Sequence, residues 1–106
     1  MKQKWENKQS EDLFKAILCL DSLGEAKAFF RDLLTEKEII EFSNRWQVAQ
    51  MLYCKKPYVE IVKKTKLSSR TIARIAKWLN SGMGGYKNIL DKVHRHNYSP
   101  VGKRLC

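Results

Sequence analysis

The chain has 106 residues and a net charge of +10 at pH 7, so it is long enough for one domain, or for one subunit of a shared fold. No apolar run approaches the roughly 20 residues needed to span a bilayer, and the polar N-terminus lacks the apolar core of a signal peptide. We therefore expect a cytoplasmic protein without membrane contact. The three cysteines and two histidines lack the spacing of metal ligands, so we expect neither a metal site nor a cofactor.

The N-terminal third predicts a flexible arm followed by two helices. Residues 1–10 are polar, and Ser10 with the acidic residues after it marks the start of a helix at about 11–20. A second helix, at about 22–33, follows a break. Both helices are very apolar for their length. Because one small subunit cannot easily cover them, we expect a dimer.

The third and longest helix is predicted for residues 36–54. Thr35 and Glu38 have the spacing of a capping box, in which each side chain satisfies the backbone N–H of the other residue. Arg45 lies in this helix among apolar neighbours. We expect it to need a partner, such as Glu41 one turn earlier or a helix-end carbonyl.

Residues 57–79 have the pattern of a helix-turn-helix, with a short amphipathic helix, a tight break and a second helix. Pro57 suits the first turn, because its φ angle is fixed and its missing N–H is not needed there. The break falls at Thr65-Lys66-Leu67. Lys66 stands at a position that needs a left-handed conformation and that often carries glycine in such turns. A lysine in this conformation costs roughly 1 kcal/mol of stability.

The second helix of this motif begins after Ser68, whose hydroxyl can cap a free backbone N–H. Apolar residues recur at helical spacing and should face inward: Ile72, Ala76 and Leu79. In a helix-turn-helix this second helix enters the DNA major groove. Base reading is therefore expected at its start, from Ser69, Arg70 and Ala73. Arg70 suits a bidentate guanine contact and a phosphate contact equally well.

Positive charge is concentrated in the same part of the chain. Residues 55–79 have a net charge of +7, whereas residues 1–54 sum to −1 and residues 80–106 to +4. A hairpin whose lysines serve only solubility usually mixes charge signs, so this concentration favours contact with nucleic acid. We expect the following residues at the DNA backbone: Lys55, Lys56, Tyr58, Lys63, Lys64, Lys66, Ser68, Thr71, Arg74 and Lys77. For Tyr58 a core position is nearly as consistent with the pattern.

The C-terminal part predicts a linker, a last helix and a tail. The glycines after Leu79 lack the preceding strand and the Lys-Ser/Thr pair of a phosphate-binding loop, so we interpret them as a linker. An amphipathic helix is predicted at about 85–95, and residues 96–106 are expected to form a flexible tail. Since no strand pattern appears anywhere, the fold class is expected to be all-α.

Two motifs resemble the Trp repressor superfamily. One is the run Leu34-Thr35-Glu36 that opens a long helix containing Arg45, and the other is Ser69-Arg-Thr-Ile-Ala-Arg74. The continuation Leu79-Asn-Ser-Gly-Met-Gly-Gly-Tyr86 is similar to the YerC/YecD-like branch. The similarity covers about residues 11–95. It implies a six-helix Trp-repressor-like domain containing a helix-turn-helix, assembled as an interwoven homodimer that places two recognition helices on a palindromic operator.

The resemblance also has implications for a ligand. Two arginines hold the ligand carboxylate in tryptophan-responsive members, and they match Arg45 and Arg74, while Thr35 matches another pocket position. Ile75 stands where those members have glycine, and Trp78 stands where they have serine. We therefore expect a vestigial pocket filled by bulky side chains, with Trp78 or Trp46 in the ligand's place. DNA binding should then need no small-molecule effector.

The sequence predicts a DNA-binding transcriptional regulator, a repressor by resemblance, with double-stranded DNA and a second copy as partners. Two other functions stay open: a helical protein-interaction module for an acidic partner, and a nonspecific nucleic-acid binder. An enzyme is disfavoured, because no Cys/His or Ser/His/Asp arrangement and no phosphate-binding loop is present.

Overall fold

A computed structural model describes residues 3–96, and within this range the chain forms six α-helices and no β-strand. In chain order the helices are α1 (Lys8–Leu18), α2 (Leu23–Leu33), α3 (Glu36–Tyr53), α4 (Tyr58–Thr65), α5 (Ser69–Ser81) and α6 (Gly85–His96). The all-α prediction is thereby confirmed. The predicted tail lies outside the described residues from Asn97 onward.

Helix α1 begins three residues earlier than predicted, at Lys8. Asn7 is the true N-cap: its side-chain oxygen accepts a hydrogen bond of 2.9 Å from the Ser10 backbone N–H. The Ser10 hydroxyl in turn accepts one of 3.1 Å from the Asn7 N–H. Ser10 therefore completes a capping box from the third helical position instead of opening the helix, and Lys8–Ser10 of the expected arm are helical.

The starts of the next two helices agree with the prediction. The Ser22 hydroxyl accepts the Glu25 N–H at 3.1 Å and caps α2. The Thr35 hydroxyl accepts the Glu38 N–H at 3.1 Å, and the Glu38 carboxylate accepts the Thr35 N–H at 3.0 Å. The capping box that opens α3 is confirmed.

The chain divides into two compact units, one up to Ile39 and the other from Ile40 onward. The N-terminal unit has no buried residue in α1 or α2. Large apolar side chains are open instead: Leu18 is 83% exposed and Leu23 is 72% exposed. The apolar side chains that the sequence showed in these two helices are therefore at most half-buried.

The second unit has a small, fully apolar core to which every helix contributes. Its buried members are Val48 and Ala49 of α3, Ile61 of α4, Ile72, Ile75 and Leu79 of α5, and Leu90 of α6. Burying one such large side chain contributes roughly 1.5–3 kcal/mol. This core holds α4 and α5 together and sets which side of each helix faces solvent.

Candidate nucleic-acid interface

The turn between α4 and α5 is built by local hydrogen bonds. Lys66 has φ 61° and ψ 16°, the left-handed conformation predicted for it, and its N–H donates to the Val62 carbonyl at 2.7 Å. The buried hydroxyl of Thr65 donates to the Ile61 carbonyl at 2.7 Å and accepts the Leu67 N–H at 3.3 Å. The sequence pattern predicted Thr65 only as part of the break between the two helices. A threonine that closes a helix four residues after a core isoleucine was the signal for this role.

The helix ends on either side of this turn also follow from the sequence. The Ser68 hydroxyl accepts the Thr71 N–H at 3.1 Å, so the predicted cap of α5 is confirmed. The hydroxyls of Ser68 and Thr71 also lie 3.0 Å apart. Pro57 differs slightly from the prediction, because it is the residue before α4 and not part of its first turn.

Helix α5 divides sharply into a buried and an exposed face. Ile72 and Ile75 are almost fully buried, and Leu79 is 9% exposed. The residues predicted to read bases, Ser69, Arg70 and Ala73, are all exposed. Thr71 is half-buried, while Arg74 and Lys77 are exposed. The arrangement leaves one side of α5 free for a partner along its whole length.

The predicted phosphate-binding residues on and around α4 are exposed as well: Lys55, Lys56, Tyr58, Lys63, Lys64 and Lys66. Tyr58 is 42% exposed, which favours the surface reading of this residue over a core position. Within residues 3–96 an ion pair joins Arg31 to Glu36, and none involves the basic side chains of residues 55–79. Their charges are therefore not neutralised by neighbouring carboxylates.

A cleft of about 250 Å³ lies between α3 and α5. Four of the five residues of the expected vestigial ligand pocket line it: Arg45, Arg74, Ile75 and Trp78. The fifth, Thr35, belongs to the N-terminal unit. Glu41, Asn44, Leu67 and Thr71 complete the lining.

At Arg45 and Trp46 the structure differs from one of the two alternatives expected for each, whereas Trp78, the other tryptophan expected there, lines the cleft. Arg45 is exposed, and its guanidinium carbon lies 5.7 Å from the centre of the Phe42 ring, so its partner is an aromatic face and not Glu41. Trp46 does not line the cleft, because its ring stacks on Tyr86 at 6.3 Å between centroids. Ile75 is buried in the core, and Trp78 stands at the edge of the cleft with 46% of its surface exposed.

An open apolar groove that is also lined by Trp78 was not foreseen. Its volume is about 820 Å³, and its lining combines Trp46 and Trp78 with the end of α5, the loop after it and the start of α6: Ser81, Gly82, Met83, Gly85, Tyr86 and Ile89. At the end of α5 the side chains of Asn80 and Ser81 donate hydrogen bonds to carbonyls one turn earlier. Gly82 then follows where a Cβ would lie 2.4 Å from the Trp78 carbonyl oxygen, so glycine is required.

Among the side chains described for residues 3–95, no three His, Cys, Asp or Glu residues are grouped so that they could hold a metal ion. None of the six helices described above is long and apolar enough to cross a membrane.

The chain is similar in sequence to known proteins. A family model described as Trp repressor protein matches residues 8–94. The YerC protein of Bacillus subtilis (strain 168) is 39% identical over 90 residues, which is 85% of this chain and 86% of that protein. The predicted resemblance, including its YerC-like branch, is confirmed.

Two solved structures have the same fold. A TrpR-like protein from Eubacterium eligens ATCC 27750 is 39% identical, with a TM-score of 0.81 over 87% of this chain and 95% of that chain. A candidate Trp repressor from Staphylococcus aureus is 35% identical, with a TM-score of 0.79 over the same shares of the two chains.

Proposed function

The chain belongs to the Trp repressor protein family, and from this premise we propose that it is a transcriptional regulator that binds double-stranded DNA sequence-specifically as a homodimer. The observation that carries the proposal is the cationic surface of α4 and α5. Its lysines and arginines are exposed, none forms an ion pair within residues 3–96, and the buried face of α5 holds that helix in place. Such a surface suits a polyanion.

In this proposal α5 is the recognition helix. Ser69, Arg70 and Ala73 lie at its N-terminal end, where recognition helices contact base edges. Arg70 is long enough to donate two hydrogen bonds to one guanine. The lysines on and around α4 bind phosphates and supply affinity that does not depend on sequence.

The N-terminal unit supports the homodimer. Its most exposed apolar residues, Leu18 and Leu23, would each gain on the order of 1.5–3 kcal/mol if a partner buried them fully. A second copy of the chain is the partner we propose. Two α5 helices related by a two-fold axis would then read half-sites separated by one helical turn of DNA, about 34–36 Å.

The cleft between α3 and α5 supports DNA binding without tryptophan. Its volume of about 250 Å³ is small, and Ile75 and Trp78 form part of its wall. Pockets for small ligands usually measure about 300–1,000 Å³. We therefore propose that the dimer binds its operator without a corepressor and acts there as a repressor by excluding other proteins from the site.

The test is selection of bound sequences from a random DNA library, followed by fluorescence anisotropy on the selected site. The expected result is a pseudo-palindromic site bound at least 1,000-fold more tightly than scrambled DNA, about the lower end for specific regulators. Equal affinity for every sequence would reject a specific regulator and leave a nonspecific nucleic-acid binder. Absence of binding to any DNA at low salt would reject both.

A further inference from the structure

Two lysines share an unusual backbone conformation. Lys55 and Lys66 both have φ 61°, and within residues 3–96 they are the non-glycine residues with positive φ. Lys66 directly follows the last residue of α4, and Lys55 stands two residues after the last residue of α3. The N–H groups of Lys55 and Lys56 donate back to the carbonyls of Leu52 and Met51, both at 3.0 Å, whereas Lys66 donates to the Val62 carbonyl. These are the two common ways in which a left-handed residue closes a helix.

Glycine is the residue that such positions favour. A side chain in the left-handed region brings its Cβ close to the neighbouring carbonyl oxygen, and glycine avoids that contact. The chain does use glycine in this region elsewhere, at Gly84 with φ 87°. Glycine at Lys55 and Lys66 would close the same two helix ends with less strain, so the fold does not call for lysine there.

Attraction between a positive charge and the helix dipole does not explain why these two positions are lysine and not glycine. The last turn of α4 already contains Lys63 and Lys64, which supply positive charge at its C-terminus. Lys56 stands beside the end of α3 and offers the same charge from a residue outside the left-handed region. Lys55 and Lys66 differ from these residues in their position, because one precedes α4 and the other follows it. The 8 residues of α4 span about 12 Å.

We infer that Lys55 and Lys66 are a pair of phosphate-binding residues that fix α4 across the DNA backbone, and that their left-handed conformation is retained for this contact although it lowers the stability of the fold. The inference rests on the proposed DNA-binding function. In a helix-turn-helix the first helix crosses the backbone while the second enters the groove. Phosphate contacts by cations at both ends of the first helix would set the angle at which the second helix enters the DNA groove. Strained residues persist only where the surrounding structure holds them in place, and they cluster at sites where the strained conformation serves binding or catalysis.

The experiment compares the single variants Lys55→Gly and Lys66→Gly with the wild-type protein in two measurements. In thermal unfolding each variant should have a midpoint roughly 4 °C higher, since glycine relieves the left-handed strain. The matched control is Lys27→Gly within α2, where glycine should lower the midpoint because the position is helical.

In DNA titrations across a salt series, each phosphate contact that is lost reduces the slope of log K against log salt by about 0.9. One substitution should therefore lower the slope of a dimer by about 1.8. Lys55→Arg and Lys66→Arg, which keep the charge, should retain the wild-type slope. Lys55→Asn and Lys66→Asn, which tolerate the left-handed conformation but lack the charge, should behave as the glycine variants do in binding. Lys27→Gln should leave the slope unchanged.

The outcomes separate this inference from the proposed function. If the wild-type protein binds DNA and the glycine variants keep the wild-type salt slope, the inference about the phosphate-binding pair is wrong. The proposed function as a regulator is then unaffected. A lower unfolding midpoint in both glycine variants overturns the claim that the conformation costs stability. Wild-type protein that does not bind DNA rejects the proposed function, and the inference with it.

Discussion

The phenolic hydroxyl of Tyr53 donates a hydrogen bond of 2.6 Å to the carboxylate of Asp91, joining the last residue of α3 to α6. The Tyr53 ring also lies 4.6 Å from the His94 ring, measured between centroids. The hydrogen bond to Asp91, followed by desolvation and the negative charge of the carboxylate, raises the pKa of Tyr53 above its ordinary value of 10.0. The pair connects two of the helices that form the core under α5.

Replacement of Tyr53 by phenylalanine should therefore lower stability in a pH-dependent way. The folded-state pKa is raised, so the contribution of the hydroxyl is fully present below the unfolded-state pKa of about 10 and is lost as the pH rises through the folded-state pKa. Thermal unfolding of both proteins should show a lower midpoint for Tyr53→Phe at pH 7 and a smaller difference at pH 11. A difference that grows between these two pH values would contradict the assignment.

Removal of the cap of α5 should destabilise the recognition helix. Ser68→Ala leaves the Thr71 N–H without its acceptor and should lower the free energy of unfolding by about 1 kcal/mol. Ser69→Ala is the matched control, because Ser69 is an exposed serine one residue further on. Urea denaturation measures the free energy of unfolding of both variants. Equal losses in the two variants would show that the cap is not what stabilises this helix.

Arg70 and Lys77 should differ in what they contribute to DNA binding. Arg70→Ala should relax the preference at one base position per half-site by about 1–3 kcal/mol, because a bidentate guanine contact is lost. Lys77→Ala should weaken binding to all sequences alike and reduce the salt slope. Competition titrations with single-base variants of the selected site distinguish the two effects. If Arg70→Ala weakens all sites equally, Arg70 contacts phosphate.

The exposed leucines of the N-terminal unit should control assembly. Leu18→Asp places a charge where we expect the second copy to bury an apolar side chain, and it should shift the protein from dimer to monomer in sedimentation velocity measurements. Val59→Asp is the control, because Val59 is 80% exposed in α4, close to the exposure of Leu18. It should leave the dimer intact. A Leu18→Asp protein that is still dimeric would place the interface elsewhere.

L-Tryptophan should have no effect on DNA affinity. In isothermal calorimetry the wild-type protein should give no binding heat with L-tryptophan, because the cleft of about 250 Å³ is smaller than the usual pocket for a small ligand. Trp78→Ser removes the larger of these side chains at a position that is 46% exposed, so it should preserve the fold while widening the cleft. Micromolar affinity of the wild-type protein, with tighter operator binding, would refute effector-independent binding.

Local chemistry made most helix boundaries predictable. The caps at Thr35 and Ser68 were predicted, because each depends on residues within three positions of the chain. The Ser22 cap has the same short spacing but was not predicted. The start of α1 was misplaced, because Asn7 and Ser10 are both acceptable caps and only their reciprocal hydrogen bonds show which one opens the helix. The left-handed conformation of Lys66 was also foreseen from its place between two amphipathic helices.

The cationic surface and its helices were thus determined by the sequence, since periodicity and charge are properties of short segments. The clefts were not, because they depend on contacts between residues far apart in the chain. Only the tertiary structure decided that Arg45 lies over Phe42, that Trp46 stacks on Tyr86, and that Gly82 leaves no room for a side chain beside Trp78. It also showed that Lys55, in the connection between α3 and α4, has the same left-handed conformation as Lys66.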